Sequence, residues 1–161
     1  MGKLSYVYDA SELVAAWVAQ RIPRCRERGF GNCTAIGIVE DGKPIAGIVY
    51  HNWEPEAGII EISGAAEPGH YWCTRETLRR SYEYPFDQLG VQMIVQRNSL
   101  KDERLLRQLA TLNFSFIRIP RMLGRDEDGV LCMLTDDAWE ASKFNRSVRH
   151  PPEAPIAEAA E

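Results

Sequence analysis

The feature that most limits the folds open to this chain is a β-hairpin in its first third. Residues 35–39 and 44–50 are rich in β-branched and apolar side chains, and Glu40-Asp-Gly-Lys43 lies between them. An Asp-Gly pair tolerates the positive φ angles that a tight hairpin turn requires. A third apolar segment, 59–63, follows after a break that contains Pro55 and Gly58. The sequence therefore predicts three adjacent antiparallel strands.

The segments on either side of this meander alternate between strand and helix patterns. Apolar residues at helical spacing predict a helix over 11–21 and two further helices. One runs from Thr74 to Gly90 with a kink at Pro85, and the other begins at Asn98 or Ser99. Short β-like segments occupy 4–8, 91–95, 114–119 and 130–134, and a short helix follows at 136. The order strand, helix, three strands, helix, strand, helix, two strands predicts a mixed α/β fold.

The composition is typical of a globular domain with a slightly acidic surface. The chain has 161 residues, and 19 Lys and Arg against 23 Asp and Glu give a net charge of −4. A general nucleic-acid binder needs a basic surface, so this balance argues against nucleic acid as a partner. No apolar run approaches the ~18 residues of a membrane span, and residues 1–9 lack a hydrophobic signal region. We therefore expect a cytoplasmic protein without a membrane partner.

The cysteine spacing predicts free thiols, and the C-terminal composition predicts a tail. No two cysteines form a CxxC pair, and only His70 lies close in sequence to any of them, so neither a metal site nor a disulfide framework is expected. Free thiols fit a reducing cytoplasm. After residue 145 the composition shifts to Pro, Ala and Glu. We predict a single domain over 1–144 and a flexible tail over 145–161.

Five local patterns, in this order, resemble the GNAT superfamily of N-acetyltransferases. They are the hairpin 40–50, the fourth strand around Ile60-Glu-Ile62, the helix 75–90, the Asn98 and 105–114 segment that is similar to the family's N…LGF pattern, and the ending 129–139. The closest resemblance is to short phage-type and ribosomal-protein-acetylating members. It implies a mixed, largely antiparallel sheet whose parallel fourth and fifth strands splay apart, with helices on its flanks.

The same resemblance implies acetyl-CoA as the co-substrate and no metal. In the family, the pantetheine arm lies against the backbone of the fourth strand, and the pyrophosphate lies at the N-terminus of the following helix, where backbone N–H groups and the helix dipole favour an anion. The residues implied here are Ile62, Ser63, Gly64, Gly69, His70, Thr74, Arg75 and Asn98. Two departures stand out. The glycines of the family's pyrophosphate loop align near His70 and Trp72. The family's tyrosine, which protonates the leaving thiolate, is replaced by Leu109.

The implied reaction is direct attack of an amine on the thioester. Glu61 alternates with Ile60 and Ile62 on the fourth strand, where family members often place a carboxylate that removes the amine proton. A general base there needs a pKa that burial has raised, and the alternative is a solvated strand glutamate. His51, Asn52 and Trp53 follow the third strand in a predicted loop and are expected to contact the acceptor.

Several points stay open at this stage. The acceptor is a small-molecule or protein amine, and the family allows a homodimer. Tyr82 or Tyr84 could replace the missing acid, and Cys73 could be a nucleophile if His70 activates it. Two rivals to the enzyme are a non-catalytic protein that binds an acyl-CoA or a partner, and a modifier of nucleic-acid bases. The modifier of nucleic-acid bases is favoured by basic residues on two predicted helices, which could equally form an ordinary solvated helix face. These residues are Arg75, Arg79, Arg80, Lys101, Arg104 and Arg107.

Overall fold

The computed structural model describes residues 2–142, so the end of the predicted domain and the predicted tail lie outside the described residues. Seven strands form one sheet in the order β1-β2-β3-β4-β5-β7-β6. The elements are β1 (Leu4–Val7), α1 (Ser11–Ala19), a 3₁₀ turn (Pro23–Cys25), β2 (Cys33–Glu40), β3 (Lys43–Glu54), β4 (Ile59–Ala66), α2 (Arg75–Glu83), a π-helical turn (Tyr84–Gln88), β5 (Met93–Ser99), α3 (Glu103–Thr111), β6 (Ser115–Gly124), β7 (Glu127–Thr135) and α4 (Asp136–Ala141).

The predicted hairpin and meander are confirmed. β2 and β3 pair antiparallel around Asp41 and Gly42, whose φ angles are 49° and 83°. β3 then pairs antiparallel with β4. Positive φ at both central residues matches the right-handed twist of the two strands, which is why an Asp-Gly turn closes this hairpin.

The predicted splay between the fourth and fifth strands is also confirmed. β4 and β5 run parallel and pair only at Ile59–Met93, Ile60–Ile94 and Glu61–Val95. β4 continues to Ala66 and β5 to Ser99 without further pairing between them. A gap in the sheet therefore opens just beyond Glu61.

Helices cover both faces of the sheet. On one face, α2, α3, α4 and the π-helical turn bury a core that includes Ile60, Ile94 and Trp139. On the other face, α1 packs through Ala15 and Val18 onto β2 and β3 in a smaller cluster. Because side chains alternate along a strand, Ile60 and Ile62 face the larger core, and Glu61 and Ser63 face the side of α1.

Two predicted boundaries are wrong. α3 does not begin at Asn98 or Ser99, because β5 keeps pairing with β7 as far as Ser99–Gly129. The cap is Asp102, whose Oδ1 accepts a hydrogen bond from the backbone N–H of Leu105 over 3.3 Å. His51, Asn52 and Trp53 are not in a loop, because β3 continues to Glu54 through a register shift. Asn52 has a φ of 50° in that irregular stretch.

The close approach of α1 to the sheet depends on Gly47. A Cβ at this position would lie 2.6 Å from Val18 Cγ2, and Val18 is fully buried. We expect Gly47→Ala to lower the free energy of unfolding by about 1–3 kcal/mol, because it overpacks this contact. Urea unfolding measures the change. The double variant with Val18→Ala should lose less than the sum of the two single variants, and an unchanged midpoint for Gly47→Ala would contradict the close packing.

Candidate active site

An apolar cavity of about 280 Å³ lies on the helical face of the gap between β4 and β5. We call it the apolar cavity. Its walls come from β4, β5, α2 and α3, and include Ile62, Gly64, Gln96, Asn98, Leu105 and Leu109. Residues 62–66 of β4 have no registered partner on β5, so the β5-facing edge of this backbone stands open at the gap. An extended chain with hydrogen-bonding groups and apolar segments can lie along such an edge.

A second cavity of about 390 Å³ lies on the opposite, α1-facing side of the same gap. We call it the polar cavity. Arg21, Arg24, Ser63, Arg97 and Glu127 contribute to its walls. The two cavities share Ile62, Gly64, Gln96, Asn98, Asp102 and Leu105. They therefore meet at the gap, and a molecule in one can reach a molecule in the other.

Glu61 lies at the centre of a buried polar cluster on the side of α1. The side-chain amide of Asn52 donates to Glu61 Oε2 over 2.7 Å, and Arg97 Nε donates to Oε1 over 2.8 Å. His51 Nδ1 is 3.8 Å from Oε2, and His51 Nε2 is 2.8 Å from Ser63 Oγ. His51, Glu61 and Ser63 are all buried. The register between β3 and β4 places His51 directly opposite Glu61, which brings the cluster together.

This cluster holds a charged carboxylate beside a neutral imidazole. Burial raises the pKa of Glu61, but the hydrogen bonds from Arg97 and Asn52 outweigh it, so the pKa lies below its ordinary value. Glu61 therefore lacks the raised pKa that a general base at this position would need. Burial lowers the pKa of His51, and although Glu61 opposes this, Arg97, Arg24 and Arg28 lower the pKa further. His51 is thus uncharged near neutral pH, with a ring nitrogen available to accept a proton.

A pH dependence of stability follows from the lowered pKa of His51. Below its ordinary pKa of 6.5, the unfolded chain binds a proton on this residue that the folded chain does not. The free energy of unfolding should therefore fall as the pH is lowered from 7 to about 5. In His51→Gln the fall should be shallower, because that proton uptake is gone. Urea titrations of both proteins over this range measure the slopes, and equal slopes would contradict the assigned shift.

The residues predicted to bind the cofactor lie around the apolar cavity and in the loop that joins β4 to α2. Ile62 and Gly64 line the cavity, and Ser63 lies between them on the open strand. Asn98 also lines it, and its amide donates to Gln96 Oε1 and to Cys132 Sγ, each over 3.4 Å. Asn98 therefore lies on β5 beside the gap, and Asp102 takes the capping position of α3 that the sequence predicts for Asn98 or Ser99.

The predicted phosphate-binding residues lie at the N-terminus of α2. Thr74 caps this helix, since its Oγ1 accepts a hydrogen bond from Thr77 N–H over 3.1 Å, and Arg75 is the first helical residue. Gly69 has a φ of 85° in the preceding loop. His70 Nδ1 lies 2.8 Å from Glu40 Oε2, so its ring is held against the end of β2. The loop and α3 together line a cavity of about 270 Å³ that includes His70 and Arg104.

The residues predicted to contact the acceptor do not line either of the two cavities at the gap. His51, Asn52 and Trp53 line a separate cavity of about 570 Å³ together with Phe30 and Tyr84. Within residues 2–142 this cavity shares no lining residue with the two cavities at the gap. His51 and Asn52 instead contact Glu61, and Trp53 is 49% exposed. Sequence reasoning missed Arg24 and Arg97, which line the polar cavity.

The structure distinguishes between the residues considered as the general acid and as a nucleophile. Tyr82 is buried and lines the apolar cavity, whereas the Tyr84 hydroxyl donates to Thr34 Oγ1 over 3.2 Å at the separate cavity. Leu109 is a buried core residue. Burial raises the pKa of Cys73 to about 11, so its thiol stays protonated at neutral pH and is not an activated nucleophile.

Three of the six basic residues that the sequence singles out are paired with carboxylates of their own helix. Arg79 forms ion pairs with Glu76 and Glu83, and Arg80 forms one with Glu76. Arg107 pairs with Glu103 on α3. These contacts are the i,i+3 and i,i+4 pairs of a solvated helix face. They account for half of the basic residues that favoured a nucleic-acid substrate, so they weaken that alternative.

Two further findings concern metals and membranes. Among residues 2–142, no group of three or more His, Cys, Asp or Glu side chains could hold a metal ion. None of the helices described in the structure is both long and apolar enough to cross a membrane.

The seven-stranded mixed sheet, the splayed parallel β4–β5 pair and the helices on both faces define the GNAT fold. The described chain has this fold, that of the N-acetyltransferase superfamily. The particular proteins that share it are distant in sequence. Ribosomal-protein-S5-alanine acetyltransferase from Vibrio fischeri is 14% identical, with a TM-score of 0.65, and the match covers 86% of this chain and 96% of that one.

Two other solved structures match over similar lengths. The yncA protein of Salmonella typhimurium, solved with its cofactor acetyl-CoA, is 14% identical with a TM-score of 0.62 over 82% of this chain and 93% of that one. A mutant spermidine N-acetyltransferase from Vibrio cholerae is 12% identical with a TM-score of 0.68 over 89% and 98%. No family model and no curated protein matches the sequence.

Proposed function

We propose that this protein transfers an acetyl group from acetyl-CoA to an amine by direct attack. The observation that carries the proposal is the pair of cavities that meet at the gap between β4 and β5. One cavity is apolar and borders an open strand edge, and the other is polar and borders a buried base. That arrangement can hold a thioester and an amine in contact with each other.

The residues around the apolar cavity suit the coenzyme. The open edge of residues 62–66 offers backbone hydrogen-bonding groups to the amide groups of a pantetheine arm, and the apolar walls suit its methylene segments. Arg104 lines the neighbouring cavity beside the loop and offers a cation to phosphates. The N-terminus of α2, which directly follows this loop, offers backbone N–H donors. When bound, acetyl-CoA would supply the acetyl group as a reactive thioester.

We assign proton removal to His51 acting through Ser63. Ser63 lines the polar cavity, and His51 Nε2 lies 2.8 Å from its Oγ. As the amine loses its proton to Ser63 Oγ, the hydroxyl proton of Ser63 passes to His51 Nε2, so that Ser63 ends unchanged and His51 becomes imidazolium. A neutral imidazole is suited to this role.

In this proposal Glu61 stays ionised and stabilises the protonated form of His51. It does not accept the proton itself. Its carboxylate oxygen lies 3.8 Å from His51 Nδ1, close enough to stabilise the imidazolium. Arg97 and Asn52 keep the carboxylate ionised and fix its orientation. Glu61→Gln should therefore reduce turnover and leave acetyl-CoA affinity intact.

The test is titration calorimetry with acetyl-CoA, followed by assay of CoA thiol release with a set of amines. The wild-type protein should bind with a Kd below about 1 mM. Leu105→Trp should weaken binding by about tenfold or more, because Leu105 lines the apolar cavity. The matched control is Leu13→Trp, which makes the same substitution at a side chain that is 76% exposed.

Three outcomes would contradict the proposal or a part of it. Absence of binding at millimolar acetyl-CoA would exclude an acetyl-CoA-dependent enzyme. Binding without acetylation of any amine would favour the rival, a non-catalytic protein that binds acyl-CoA. A Leu105→Trp protein with unchanged affinity would show that the coenzyme does not occupy the apolar cavity.

A further inference from the structure

Arg24 stands apart from the other two arginines of the polar cavity. Arg21 forms an ion pair with Glu67, and Arg97 forms one with Glu61. Within residues 2–142, Arg24 Nε is buried without a hydrogen-bond partner. Its Nη2 donates only to a carbonyl, that of Arg97, over 3.2 Å. The cavity thus contains one guanidinium that no carboxylate of the described chain balances.

A partly buried guanidinium that lines a cavity without a carboxylate partner is a position for a ligand oxygen. Leaving an N–H group of a charged side chain buried without an acceptor is unfavourable, and a bound acceptor removes that penalty. The planar guanidinium binds carboxylate and phosphate groups with two parallel hydrogen bonds. The 3₁₀ turn Pro23–Cys25 fixes Arg24 at the edge of the cavity.

The same cavity also has acidic residues in its lining, and they come from other elements of the fold. Asp102 caps α3 and lines both cavities, so it lies near the gap. Glu127, on β7, accepts a hydrogen bond from Ser99 Oγ over 2.8 Å. The cavity therefore has cationic groups from Arg21 and Arg24, which follow α1, and acidic groups from Asp102 and Glu127. A ligand with one group of each charge complements both sets.

We propose that the acceptor is a small amine that also carries a carboxylate or phosphate, and that Arg24 binds this acidic group while the amino group lies at the gap. This inference rests on the proposed acetyl transfer and specifies its substrate class. The cavity volume of about 390 Å³ lies within the range of small-molecule sites. Amines whose far end is cationic meet Arg24 with the wrong charge.

The experiment compares amines of similar length that differ at the far end. γ-Aminobutyrate carries a carboxylate, phosphoethanolamine a phosphate, butylamine no charge and putrescine a second amine. With wild-type protein and saturating acetyl-CoA, kcat/KM for at least one of the two acidic amines should exceed that for butylamine by about tenfold or more. The better of the two identifies the acidic group.

The variants test whether Arg24 causes this selectivity. Arg24→Gln should remove the preference, and Arg24→Glu should reverse it in favour of putrescine. The control is Arg26→Gln, which changes an exposed arginine of the same loop that does not line the cavity, and it should keep the preference. Circular dichroism verifies that each variant is folded. Binding of the acidic amines is also measured by calorimetry in the presence of CoA, because this readout does not depend on turnover.

The outcomes separate this inference from the proposed function. Equal acetylation of all four amines, or a preference that survives Arg24→Gln, would overturn the inference and leave acetyl transfer standing. If no amine is acetylated, and an acidic amine still binds to wild type but not to Arg24→Gln, acetyl transfer would fail and the anion site would be supported. Absence of binding of both acidic amines, with butylamine or putrescine bound, would overturn the inference directly.

Discussion

His51→Gln is expected to lower kcat for amine acetylation by about 10²–10⁴-fold while leaving the affinity for acetyl-CoA within about twofold. Glutamine keeps a polar side chain of similar size but has no nitrogen that can accept a proton. His51 lies on the α1 side of β3, away from the apolar cavity, so coenzyme binding should not change. Stopped assays with saturating substrates measure kcat, and calorimetry measures the affinity.

A packing control separates loss of the base from loss of the ring. Phe30 contacts the ring of His51, with centroids 4.8 Å apart. Phe30→Leu changes this contact and leaves the imidazole in place, so kcat should stay near the wild-type value. Ser63→Ala should resemble His51→Gln, because it removes the hydroxyl that joins His51 to the polar cavity.

The pH profile supplies an independent readout. The neutral form of His51 is the active form, and its pKa is lowered by burial, so wild-type kcat/KM should decrease only at acidic pH, below the ordinary value of 6.5. The variant should lose this acidic decrease. A His51→Gln protein with wild-type kcat would assign proton removal to another group, and Glu61 would then be the first to test.

The fold could be predicted from the sequence because its main signals are local. The Asp-Gly turn fixes one hairpin, and the helices have apolar stripes of their own. The wrong boundaries depend on partners far away in the sequence. Ser99 stays in β5 because Gly129 of β7 pairs with it, and His51 stays in β3 because Glu61 of β4 lies opposite. Local propensity carries no information about either pairing.

The residues of the site also divide into those that a local pattern indicates and those that only the folded arrangement brings to the cavity. Strand alternation alone was enough to select Glu61 as a side chain that points away from the larger core. Arg97 lies beyond the predicted end of its strand, and Arg24 lies beyond the predicted end of the first helix. Both reach the polar cavity only because β4 and β5 splay and the 3₁₀ turn folds across the gap. The alternation would have indicated Arg97 if the strand had been extended by two residues.

The second large effect concerns stability, and it follows from the burial of Glu61. Arg97→Met is expected to lower the free energy of unfolding by about 2–3 kcal/mol at pH 7. Removing Arg97 leaves a carboxylate whose side chain is 9% exposed without its ion-pair partner. The arginine side chain is 32% exposed, so solvent already screens part of the attraction, and the expected loss lies below that for a fully buried pair. Urea unfolding measures it.

A double-variant cycle and pH separate the lost ion pair from lost packing. In Arg97→Met, burial dominates the pKa of Glu61 and raises it above the unfolded value, so protonation then favours the folded state. The difference in stability between wild type and Arg97→Met should therefore shrink as the pH falls from 7 to 5. Combining Arg97→Met with Glu61→Gln should cost less than the sum of the two single variants, by about 1–2 kcal/mol. Additive losses, with a difference that does not depend on pH, would mean that Arg97 contributes through the packing of its methylene groups and not through its charge.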